Sequence, residues 1–178
     1  MGGMIAQLVA LHHPERVLTL TSIMSSTGSP LLPPARPEAM AALTMPIAPD
    51  ADLDTFLARG LHVSRAIGSP GYPAAEERLR AHIERDYRRS FHPTGPARQM
   101  AAIVADGDRT ARLGRIAAPT LVIHGEDDPL VPVEHGHDTA RHVPGARLQT
   151  FPGMGHDFPL ELVDTMADAI AQHARQAR

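Results

Sequence analysis

The hydrophobic pattern opens directly on a helix. In residues 2–13, Ile5, Leu8, Val9 and His12 fall on one face at helical spacing, and Pro14 ends the run. "RVLTLTSIM" (16–24) follows, β-branched and apolar without strict polar alternation, which predicts a buried strand of a parallel sheet. Residues 25–50 are rich in Pro, Ser and Gly and read as loop with one short helix. Residues 51–107 read as three helices. The first has Asp52 as N-cap and Gly68 as its stop. The second restarts after Pro73, with Glu76 and Glu77 in its first turn and Arg88 and Arg89 in its last, and the third ends near Gly107. Beyond them come a short apolar strand (120–125), a helix (132–145), an alternating strand (146–151) and a closing amphipathic helix (159–176) whose Leu162, Met166, Ala169 and Ile170 face inward. Helix, strand, helical excursion, strand, helix, strand, helix is the tail of a βαβ series. The expected class is α/β, a parallel sheet of about three strands interrupted by helices.

Composition narrows the partners. The chain has 178 residues, 43% hydrophobic and 21% charged, with a net charge of -3. That size suits one domain, and that charge offers no polybasic surface, so neither nucleic acid nor an anionic membrane is an expected partner. Every cation among the Lys and Arg side chains is Arg, which reads as coding bias and not as chemistry. Zero Cys excludes disulfides, thiolate catalysis and Cys-ligated zinc. No apolar run reaches the roughly 18 residues of a bilayer span, and no signal peptide is evident, so a cytoplasmic location is expected.

Two strand-end loops carry the candidate chemistry. "LVIHGEDDPLVP" ends a strand at Gly125 and then offers Glu126, Asp127 and Asp128. Polar groups beyond the carboxyl ends of parallel strands are where open α/β sheets place their sites. Glu126 reads as a solvated turn residue; for the two Asp, catalysis and turn formation weigh equally. "FPGMGHDFP" ends the next strand and presents His156 on a glycine-rich turn. Acid first, then His, is the base half of a nucleophile triad. A metal reading of His124, His135 and His137 is disfavoured, because ligands on one helix face need i, i+4 spacing and His135 and His137 are two apart. No metal and no cofactor are expected. The Arg-rich stretch 76–89 reads as a solvated face with Glu76–Arg80 and Glu84–Arg88 pairs, and Phe56, Tyr72, Tyr87 and Phe91 chiefly as packing residues.

In that order, "MGGMIAQLVALHHPERVLTLTSIMSS", "PTLVIHGEDDPLVPVEHG" and "FPGMGHDFP" resemble motifs of the α/β-hydrolase fold family. The similarity is to its serine esterase branch, the small-ester hydrolases like aclacinomycin methylesterase, and covers only the family's second half. The resemblance implies Asp128 as triad acid, with Asp127 the lesser candidate, and His156 as general base. It implies the Met1 peptide N–H as an oxyanion-hole donor, and Gly2 and Gly3 as the residues permitting the elbow turn and close helix–strand packing. It also implies a core of residues 1–26 and 108–178 with a helical cap at 27–107. The nucleophile of G-x-S-x-G would stand just before Met1. None of Ser22, Ser25, Ser26 and Ser29 sits on a strand–turn–helix that could replace it. The expected parent activity is hydrolysis of a small carboxylic ester, with this chain a truncated, inactive part. The alternatives are a non-catalytic remnant or complementing half, self-associating through an exposed sheet edge, and an epoxide or haloalkane hydrolase with an Asp nucleophile.

Overall fold

The computed structural model describes residues 1–177. Three strands, β1 (Leu20–Ile23), β2 (Thr120–Gly125) and β3 (Arg147–Phe151), form one parallel sheet in the order β1-β2-β3. Leu20 pairs with Thr120 and Leu121 with Arg147, so the strands end together at one carboxyl edge. All six residues of β2 are buried, as a central strand covered on both faces requires.

Helix α1 (Gly2–His12) precedes β1. Between β1 and β2 lie α2 (Pro37–Thr44), α3 (Leu53–Ile67), α4 (Glu76–Arg89), α5 (Gly95–Asp106) and the single turn α6 (Thr110–Leu113). Helix α7 (Glu134–His142) links β2 to β3, and α8 (Leu160–Ala174) closes the described chain. One core packs Leu121, Ile123, Phe151 and Met154 against Met166, Leu162, Ala169 and Ile170 of α8. A second gathers Ala10, Leu20, Leu113, Ile116 and Val143, placing α1, α6 and α7 together on the sheet. Among the described residues no helix is long and apolar enough to cross a membrane.

Three local expectations change. The apolar face of α1 that carries Ile5, Leu8, Val9 and His12 is not its buried face: Ile5 and Val9 are 50% and 40% exposed, whereas Gln7 is fully buried. Gln7 is held by polar partners that apolar periodicity ignores, donating to Ser22 Oγ (3.3 Å) and accepting from Arg109 Nε (3.2 Å). The first strand is four residues, not nine, because Pro14–Arg16 form a 3₁₀ turn and leave Leu18 on the surface. Helix α7 is likewise trimmed at both ends.

The helical excursion is built as its sequence dictates. Asp52 caps α3, its Oδ1 accepting from Thr55 N at 2.9 Å. Arg80 and Arg88 of α4 bond to Glu76 and Glu84, one turn earlier. Phe56, Tyr87 and Phe91 meet in tilted and edge-on contacts with ring centroids 5.1–5.6 Å apart and join α3 to α4. The excursion leaves and returns at one point. Arg109 N donates to Thr27 O at 2.8 Å, and a Cβ on Gly28 would stand 2.2 Å from Gly107 O. Gly28 and Gly107 have φ of 81° and 63°, a left-handed backbone that glycine tolerates best.

Candidate active site

The carboxyl edge of the sheet brings Asp128 and His156 together from two loops. After β2, the chain turns at Gly125, where a Cβ would stand 2.3 Å from Met154 O; only glycine lets the two loops approach this closely. Asp128 is buried, and its Oδ1 accepts from Leu130 N (2.9 Å) and Val131 N (2.8 Å). Those two bonds fix the carboxylate and leave Oδ2 facing His156 Nδ1 at 2.6 Å. An ionised carboxylate only accepts, so Nδ1 carries the proton and Nε2 keeps its lone pair. The imidazole, 22% exposed, thus presents a basic nitrogen beside a fully buried carboxylate. That pairing can take a proton from a nucleophile and stabilise the resulting imidazolium.

The neighbouring acids do other work. Asp127 accepts from Gly153 N at 2.8 Å and ties the two loops together. Glu126 accepts from Thr150 Oγ1 at 2.7 Å on the surface. Of the two aspartates, Asp128 meets the histidine and Asp127, the lesser candidate, does not.

Beneath the pair lies His124, fully buried in β2. Its Nε2 lies 2.7 Å from Val131 O, which can only accept, so Nε2 carries the proton and supports the turn that holds Asp128. Its Nδ1 is buried without a partner. Burial lowers the His124 pKa below the usual histidine value and keeps the ring neutral. His135 is bridged between Ser26 Oγ (2.8 Å) and Pro33 O (2.9 Å), and His137 is exposed.

Gly3 packs α1 onto the end of β1. A Cβ there would stand 2.5 Å from Ser25 Cβ, whereas beside Gly2 nothing lies within 4 Å. Met1 is the N-cap of α1, and partial burial, followed by the Arg109 charge, lowers the pKa of its amino group. Met24, at the end of β1, has φ of 44°, a strained conformation for a side chain of its size. Among the described residues no serine hydroxyl bonds to His156: Ser22 pairs with Gln7, Ser25 Oγ is buried without a partner, Ser26 meets Gly28 N and His135, and Ser29 accepts from Leu31 N.

Two residues of the site's framework escaped the sequence reading. Arg109 is fully buried and bonds to Gln7, Asp106, Gly107 O and Ser26 O, joining α1, the loop after β1 and the end of the excursion. Ser69 sits in the turn after α3 and reaches the His156 loop. For Ser69 the sequence shows only "GSPG", a turn between two helices.

Residues 1–161 match the model of the alpha/beta hydrolase fold family. The chain is 30% identical to the rhodomycin D methylesterase of Streptomyces peucetius, covering 99% of this chain and 65% of that protein. It is 27% identical to a pimeloyl-[acyl-carrier protein] methyl ester esterase of Chromobacterium violaceum, covering 97% and 66%. A solved 2-hydroxy-6-oxo-6-phenylhexa-2,4-dienoate hydrolase from Rhodococcus sp. strain RHA1 superposes with a TM-score of 0.73 at 23% identity, over 98% of this chain and 61% of that one. The chain spans about 65% of the length of these curated relatives. With its parallel sheet and with nine-tenths of its length inside the matched region, the chain belongs to the α/β-hydrolase fold family.

Proposed function

We propose that this chain carries the acid–base half of a serine esterase acting on a small carboxylic ester. The observation that carries the reading is the 2.6 Å contact of His156 Nδ1 with Asp128 Oδ2, which leaves Nε2 free as base. Two relatives named as methyl esterases support the ester over other acyl substrates.

The nucleophile lies outside the described residues, and the G-x-S-x-G pattern puts it just ahead of Met1 in a longer polypeptide. Its Oγ attacks the ester carbonyl while His156 Nε2 takes the proton, and the new imidazolium is held by Asp128. The oxyanion is met by backbone donors, one of them the N–H of Met1 once that residue is joined to the serine by a peptide bond. Collapse expels the alcohol, protonated by His156, and leaves an acyl-serine. Water then attacks the acyl carbon, His156 removing its proton, and the second tetrahedral intermediate collapses to the carboxylic acid as His156 returns that proton to the serine Oγ. Residues 27–107 form the cap over this site, a reading supported by the meeting of both ends of the segment at Thr27 and Arg109. The 178-residue chain alone is inactive towards esters.

The test is to extend the gene upstream in frame and assay three proteins on small methyl esters: the extended chain, its His156→Ala variant, and the chain of 178 residues. Activity is expected only in the first. Equal rates in the first two, or hydrolysis by the 178-residue chain, would overturn the reading.

A further inference from the structure

The turn after α3 does not merely pass near the His156 loop; it bonds to it backbone to backbone. His156 N donates to Ile67 O at 2.7 Å, and Gly71 N donates to Gly153 O at 2.9 Å. Between these two contacts stands Ser69, 4% exposed. Its Oγ accepts from Gly155 N at 2.8 Å, and its hydroxyl proton goes to Asp157 Oδ1. One side chain therefore holds both residues that flank His156, while its own turn holds the histidine's peptide. The fit allows nothing larger: a Cβ on Gly155 would stand 2.4 Å from Gly68 O, and one on Gly71 would stand 2.8 Å from Gly153 Cα.

We propose that Ser69 is a positioning residue for His156, setting the imidazole against Asp128 from within the helical excursion. This rests on the reading of Asp128 and His156 as the acid–base pair. Asp128 restrains the ring through Nδ1 alone. One bond fixes a distance but leaves the imidazole free to swing about it. The backbone on either side of His156 sets where its Cβ starts, and Ser69 anchors both neighbours. The relation is one of orientation, so loss of the hydroxyl should loosen the Nδ1–H···Oδ2 bond without unfolding the sheet.

The test uses the 178-residue chain and follows the His156 Nδ1–H proton by NMR in wild type, Asp128→Asn, Ser69→Ala and Ser69→Thr. Wild type is expected to show a downfield, slowly exchanging signal that Asp128→Asn abolishes. Ser69→Ala is expected to speed its exchange at least about tenfold, since it removes both the bond from Gly155 N and the bond to the Asp157 carboxylate. Amides of β2 should exchange as in wild type, and Ser69→Thr should restore slow exchange by keeping the hydroxyl. An unchanged Nδ1–H rate in Ser69→Ala would overturn the proposal, as would equal acceleration of the β2 amides, which would make Ser69 a general stabiliser. A signal that survives Asp128→Asn would instead overturn the underlying acid–base reading.

Discussion

Gly136 of α7 lies so close to His124 of β2 that a Cβ on it would stand 2.7 Å from the imidazole Nδ1. The ring is sealed by backbone on that side, and a proton added to Nδ1 would find no acceptor. His124 has its pKa lowered by this burial. Below the ordinary histidine pKa of about 6.5, the unfolded chain takes up a proton that the folded one refuses. Stability is therefore constant from this source above about pH 6.5 and falls as the pH drops below it. Urea midpoints measured from pH 8 to pH 5 should decline through that window. The decline should be shallower in His124→Gln; parallel curves would show that His124 is not its source.

Replacing Asp128 by Asn keeps an oxygen for Leu130 N and Val131 N but sets an N–H₂ group against His156 Nδ1. The imidazole must then flip tautomer and lose its basic Nε2. In the upstream-extended protein, kcat on a small ester should fall about ten-thousandfold with KM little changed. Steady-state kinetics on that variant check this, and a fall below about tenfold would remove Asp128 from the triad role.

Arg109→Met should cost about 3–5 kcal/mol, because it leaves Gln7, Ser26 O and Asp106 without their shared donor. Lys in its place should not rescue it, since one ammonium cannot reach partners addressed by Nε, Nη1 and Nη2 together. Thermal unfolding of the two variants beside wild type gives the answer directly.

The two adjacent glycines of α1 should behave oppositely. Gly3→Ala drives a methyl into Ser25 Cβ and Ser22 Oγ, 2.5 Å and 2.9 Å away, and should destabilise by about 2 kcal/mol. Gly2→Ala has open space and a helical backbone, so it should be neutral or stabilise by up to about 1 kcal/mol. Denaturant midpoints separate the two cases.

The order of elements, the three parallel strands and the approach of Asp128 to His156 were legible because they depend on local pattern and on loops that end neighbouring strands. The inward face of α1 was not. Gln7 is buried because Ser22 and Arg109, fifteen and 102 residues away, supply its partners, and no window of sequence contains all three. Arg109 escaped in part for the same reason: an arginine after "DGD" reads as surface, and its burial rests on the Asp106 carboxylate together with the distant Gln7 and Ser26 O that converge on it. Ser69 looked like punctuation between helices, since a Gly-Ser-Pro-Gly turn carries no trace of what it will touch.

The meeting of Thr27 with Arg109 brings both ends of the helical excursion to one stem. Such a segment can be lengthened, reshuffled or exchanged between related proteins while the strands on either side keep their register. Were that stem its only attachment, a transplanted segment would bring new pocket walls and leave the base untouched. Here the donor would also bring its own version of the turn at Ser69. On the proposed reading, in which the excursion is the cap of an esterase, recombination at this stem would change substrate choice and histidine alignment in one step, and the residues to repair in a poorly active chimera are 67–71.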